Sequence, residues 1–155
     1  MRLLIITLLA IHAVLGQDKK LNVNFTSDDK FTITVNNEEW FHSSPVKVRN
    51  NGKWLSSADG SLILGDSFVN PSEDSLGPYD YYSYTYHDSS KEFNFTTFVK
   101  DYKSGVAIVF GQRFDSGAEK AALDSGDDVI SSFPSITLED SSLERGYAIF
   151  EGSSK

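Results

Sequence analysis

The chain of 155 residues has no cysteine, four prolines and a single methionine, Met1. Without cysteine there is no disulfide framework and no thiol nucleophile, so a fold must be held by burial alone. Its three histidines fall to two beyond the first sixteen residues, His42 and His87. A metal site of several imidazoles is therefore ruled out unless carboxylates complete it. Positive charge is also scarce, with 14 Lys plus Arg against 22 Asp plus Glu. Phosphate-rich partners, nucleic acid and anionic lipid, would be repelled by that balance.

Only one long apolar run is present, and it lies at the start. Arg2 is followed by the apolar stretch Leu3 to Leu15, with Val14 and Gly16 small enough for a cleavage pocket. This is the pattern of a secretory signal peptide over residues 1–16, and the run is too short to span a bilayer. Processing is predicted to leave a single domain over 17–155, secreted and extracellular, beginning at Gln17. Arg2 is the only charged residue of the leader, so the remaining 139 residues hold 13 basic and 22 acidic side chains, a formal charge of −9. No second run approaches the ~20 residues of a membrane span, and no cofactor motif is present.

What the sequence does have is aromatic: eleven Phe, seven Tyr and two Trp. These rings favour pleated, half-buried surfaces. Leu21, Val23 and Phe25 share one parity, and so do Phe31, Ile33 and Val35, which predicts two strands each with one buried face. Asn36-Asn37 supplies the left-handed turn of a first hairpin over 30–42. Turn chemistry recurs at Asn50-Asn51-Gly52 and Asp59-Gly60, around Lys53 to Ser56 and Ser61 to Leu64.

Ser67 to Pro78 contains Pro71, Gly77, Pro78 and several Ser and Asp, and reads as a surface loop before an aromatic strand Tyr79 to Tyr86. Lys91 to Lys100 and Gly105 to Phe114 read as a strand pair turning at Asp101 to Ser104. Phe93, Phe95 and Val99 then share one face, and Val106, Ile108, Phe110 and Phe114 another. Ser116 to Asp128 offers one short helical turn at most, followed by closing strands Ile130 to Leu138 and Gly146 to Phe150. Many short strands with turns every ten or so residues predict an all-β antiparallel sandwich of two packed, meander-rich sheets.

Asn24-Phe25-Thr26 and Asn94-Phe95-Thr96 are acceptors for N-glycosylation, whereas Asn70-Pro71-Ser72 is blocked by its proline. At both sites the Asn and Thr fall opposite the apolar Phe, on the expected solvent side. Tyr82, Tyr84 and Tyr86 line one strand face and, with Trp40 and Trp54, are candidates to stack against sugar rings. The competing reading makes the three tyrosines the inner face of the sandwich. Tyr79 and Tyr81 lie on the other parity, so some tyrosines must point away from the core.

Asp124, Asp127 and Asp128 form a compact carboxylate cluster able to collect calcium, although the spacing is not that of a twelve-residue helix-flanked loop. A solvated acidic loop is the default reading, as it is for Asp115 and Glu139-Asp140. His42 follows Trp40-Phe41 and His87 precedes Asp88, both at turn-flanking positions and neither in a catalytic motif. No pair of carboxylates stands out as a glycosidase pair. These absences point to a non-enzymatic protein.

Three stretches bear comparison with a known family: Ser44 to Trp54 (SPVKVRNNGKW), Val109 to Phe114 (VFGQRF) with Gly117-Ala118, and Val129 to Ser135 (VISSFPS). Together they resemble the β-sandwich domain preceding the catalytic barrel in secreted glycoside hydrolases of the α-galactosidase and raffinose-synthase type. The resemblance spans about residues 20–150 and implies a sandwich without catalytic residues, since the family's carboxylates lie in a barrel that these 155 residues do not include. The expectation is a secreted acidic extracellular or matrix protein, associated with polysaccharide or with a mineral surface. The alternative is the non-catalytic N-terminal portion of a glycoside hydrolase.

Overall fold

The computed structural model describes residues 4–9, 20–26, 29–121 and 131–138. They form eleven strands in three antiparallel sheets, and among the described residues there is no helix. An all-β, sandwich-like fold is what the alternation in the sequence demands.

The smaller face of the sandwich is a meander. Strands β2 (Leu21–Phe25), β3 (Phe31–Val35) and β4 (Glu38–Ser43) follow one another, and β11 (Ile136–Leu138) returns to pair with β4. The β3–β4 turn uses Asn36 and Asn37 at φ 53° and 68°, the left-handed conformation that Asn tolerates. A bulge in the ladder between Ile33 and Thr34 separates the turn from the rest of the pairing. Leu21, Val23, Phe31, Ile33, Val35 and Phe41 all point inward and are buried.

The larger sheet has the order β1-β10-β9-β8-β7, from β1 (Leu4–Leu9), β7 (Ile63–Asp74), β8 (Gly77–His87), β9 (Asn94–Tyr102) and β10 (Ile108–Arg113). Val99, Ile108 and Phe110 pack from it onto the buried residues of β2, β3 and β4, with Phe25, Trp40, Tyr82 and Phe133 at the margin. The hairpin of β5 (Lys47–Asn50) and β6 (Lys53–Ser56) turns at Asn51-Gly52, with φ 50° and 74°. It closes one end, where Val46, Val48 and Leu62 meet Tyr86, Phe93, Phe95 and Phe114.

Three expectations are corrected here. Ser67 to Pro78 is not a loop: most of it belongs to β7, the longest strand, with a tight turn at Ser75-Leu76 held by Leu76 N–H donating to Asp74 Oδ1 at 3.0 Å. Its side chains are almost all exposed because it is an edge strand, where proline and polar residues are tolerated. Val106 is 62 % exposed and does not share the inner face of Ile108, since it precedes the strand in the turn that Gly105 (φ 69°) permits. The segment Ser116 to Ala121 is irregular rather than helical, and the rest of that predicted helical turn lies outside the described residues.

Two further expectations meet the fold in part. The closing strand is shorter than Ile130 to Leu138: Ser131 makes an isolated bridge to Val48 before β11 begins at Ile136. The strand expected over Gly146 to Phe150 lies outside the described residues. Leu4–Leu9, in the segment with the features of a leader, pairs antiparallel with β10 along its whole length, from Leu4 opposite Arg113 to Leu9 opposite Ile108.

Candidate functional site

Alternation along β8 sends its tyrosines to two environments. Tyr82, Tyr84 and Tyr86 face the other sheet, opposite Val99, Thr97 and Phe95 of β9. Tyr86 is 1 % exposed, and its hydroxyl donates to the Asp29 carboxylate. Burial, reinforced by that carboxylate, raises its pKa. Phe25 stacks on Tyr82 with ring centroids 4.2 Å apart and lies 5.5 Å from Tyr84, whose pKa burial pushes up to about 12. The burial of Tyr86 and the packing of Phe25 on Tyr82 and Tyr84 favour the inner-face reading of this row over its reading as a sugar platform.

The tryptophans divide. Trp40 is half-buried against the core, 6.1 Å from Phe41 in an edge contact, while Trp54 stands 42 % exposed on β6 in a separate sheet. The structure does not gather the two with the tyrosines into one surface.

On the outer face of the large sheet an exposed ring, Phe68, meets two that are more deeply set. Phe68 on β7, Tyr81 on β8 and Phe98 on β9 form a row across three neighbouring strands, with centroids 6.0 Å and 5.4 Å apart. Phe68 and Phe98 both flank Ser83 in register, and Tyr81 sits diagonally from each, so a small residue makes space for three large ones. Phe68 is 51 % exposed and Tyr81 half-buried, whereas Phe98 is 8 % exposed, with its ring against Gly111. A Cβ at Gly111 would overlap the Phe98 ring, so glycine there sets the depth of the row.

Polar groups border the rings. Lys100 Nζ lies 4.5 Å from the centroid of Tyr79 and 2.7 Å from Asp74 Oδ2, which also accepts the Tyr102 hydroxyl at 2.8 Å. Tyr79 and Tyr102 pack at 5.2 Å and, with Val109, form a small second core on this side. The ammonium of Lys100 holds the Asp74 carboxyl below its usual range, and Asp74 in turn raises Lys100. Asn70 and Ser72, on the same face of β7, are exposed. The exposed Phe68 ring and the half-buried Tyr81, beside fixed donors and acceptors, suit a ligand that is apolar on one side and hydroxylated at its edge.

Phe68, Asp74, Phe98, Lys100 and Tyr102 did not stand out in the sequence as site residues. The available signal was the parity of Tyr79 and Tyr81, which marks an outward aromatic face but not its partners on neighbouring strands. A second concavity, a cavity of about 430 Å³, lies beside Asp29, Ser43, Ser57 and Phe133. The carboxylate of Asp29 there is engaged by Tyr86.

Asn24 and Asn94 are both exposed, Asn24 on the edge strand β2 and Asn94 at the start of β9. Thr96 is 2 % exposed, which corrects its expected place in solvent: its Oγ1 is 3.4 Å from that of Thr85 across the ladder. Asp124, Asp127 and Asp128 lie outside the described residues, and Asp115 is paired with Arg113 at 2.7 Å. Among the described residues no group of three or more His, Asp or Glu is placed to hold a metal ion. His42 Nδ1 is 3.2 Å from Thr32 Oγ1, and His87 Nδ1 is 2.8 Å from the carbonyl oxygen of Asp88. No helix among the described residues is long and apolar enough to cross a membrane.

No family model, curated protein or solved structure matches this chain. The functional reading therefore stands on the chain's own side chains.

Proposed function

We propose that the chain is a secreted, acidic, non-enzymatic extracellular protein that holds polysaccharide on the outer face of its larger sheet. The observation that carries this reading is the row Phe68, Tyr81 and Phe98, an aromatic strip across three strands with Phe68 exposed at its end and Asn70, Ser72 and the Asp74–Lys100 pair along it. Pyranose rings present axial C–H groups to such a strip and hydroxyls to its border, and a polymer meets several rings at once. The leader-like segment 1–16 supports export, and exposed Asn24 and Asn94 suit glycan attachment in a eukaryotic secretory route.

Retention of the secreted protein on immobilised chitin, cellulose and soluble-glycan columns, with calcite as the mineral comparison, tests this. Selective sugar retention that Phe68→Ala weakens is expected. Adsorption to calcite alone, unaffected by that substitution, would overturn the sugar reading and point instead to the acidic surface.

A further inference from the structure

If the leader is removed, as the secreted reading requires, β1 leaves with it, and the mature sheet ends at β10. That strand is not built as an edge. With β1 in place Ile108 and Phe110 are 1 % exposed, Gln112 4 % and Val109 8 %, and no charge or proline interrupts Ile108 to Gln112. Loss of β1 leaves the outward backbone N–H and C=O groups of β10 without their ladder partners.

The other edges are guarded. β7 carries Pro71, a bulge between Leu64 and Ser67, and the charges of Asp66, Glu73 and Asp74. β2 carries the acceptor Asn24, and β11 is three residues long. Among the described strands, β10 is left over Ile108 to Gln112 as an apolar edge with neither charge nor proline, and unlike β2 it carries no acceptor asparagine.

We infer that the mature protein closes this edge with a second copy of itself, β10 against β10 across a two-fold axis. The vacated place takes an extended antiparallel strand, as the residue-by-residue register of β1 shows, and the sequence of β1 is apolar. β10 is itself such a strand. Pairing centred on Phe110 sets Arg113 opposite Ala107, and pairing centred on Gly111 sets it opposite Val109, so neither register opposes two cations. An isologous pairing consumes both edges at once and stops at two copies.

With the axis normal to the sheet, the result is one eight-stranded sheet whose two outer faces lie on the same side. The two β9 strands, each bearing a Phe98, then stand three strand spacings apart, ~14 Å. Two aromatic rows would share one surface, and a polymer engaging both would be held far longer than by either alone.

The test uses protein secreted from eukaryotic cells. Intact mass first shows whether the leader is gone; a retained Met1 would refute the secreted reading by itself and is read separately from assembly. Sedimentation velocity of the processed protein is expected to show a dimer, and Val109→Lys, which places a charge at the pairing edge, should weaken it by ~100-fold or more. A peptide of Leu4–Leu9 with flanking lysines should compete, converting the dimer to a one-to-one peptide complex, and this arm does not depend on the variant folding. A processed protein that stays monomeric up to roughly 50 µM, or a dimer that the peptide leaves intact, would overturn the inference.

Discussion

The two faces of strand β8 are both built from tyrosine, and they differ in what lies against them. Inward, Tyr82 and Tyr84 meet Phe25 of the other sheet and the Tyr86 hydroxyl donates to Asp29, so this row serves to join two sheets. Outward, Tyr79 is buried against Tyr102 and Val109, and Tyr81 packs between Phe68 and Phe98, all of them neighbours in its own sheet among the described residues. On this parity Phe68 stays 51 % exposed beside the half-buried Tyr81. Composition therefore says little about function here, and register says much.

The largest effect that should separate the faces is on stability. Phe110→Ala removes an inner-face ring packed on Phe31 and Phe133 and should cost about 3–5 kcal/mol in chemical denaturation. Phe68→Ala, on the outer face, should stay within about 0.5 kcal/mol of the parent. Comparable losses for the two would erase the distinction.

Gly111→Ala is expected next, at about 1–3 kcal/mol, because the new methyl group must displace the Phe98 ring. It should also lower polysaccharide retention by tilting the row, which makes it the variant that disturbs the outer face from beneath.

A smaller effect is tied to pH. Asp101 sits opposite Asp80 at the end of the sheet, and burial, opposed by the Val23 N–H and assisted by the Asp80 charge, raises its pKa to about 6. Its folded pKa lies above the unfolded value near 4, so the folded state binds the extra proton. The stabilisation is complete below about pH 4 and is lost as pH rises through 6. Asp101→Asn should therefore stabilise the protein at pH 7 to 8, by on the order of 1 kcal/mol once solvent screening is allowed for, and by little at pH 4. A benefit that is equal at both pH values would contradict the assigned cause.

Much of the fold was legible because local chemistry and the global pattern agree. The Asn36-Asn37 and Asn51-Gly52 turns, the paired alternation of β2 and β3, and the inward Phe95 and Val99 all follow from period-two spacing between left-handed turn residues. β7 was not legible: an exposed edge strand has no buried face to impose alternation, and Pro71 and its serines read as loop. Val106 shows the opposite failure, an apolar residue in step with a strand that has not yet begun. For the site, the sequence showed that tyrosines occupy both parities of β8. Which parity faces inward depends on Phe25 arriving from another sheet, and the row itself depends on β7 and β9 lying beside β8. Neither is a local property.

The most direct test pairs one tyrosine from each face. Retention of Tyr81→Ala and Tyr84→Ala on the polysaccharide that binds the parent protein should divide them: Tyr81→Ala loses most of its retention while remaining folded, and Tyr84→Ala, if folded under the assay conditions, keeps it. Retention lost in Tyr84→Ala and preserved in Tyr81→Ala would contradict the assignment of the outer face as the binding surface.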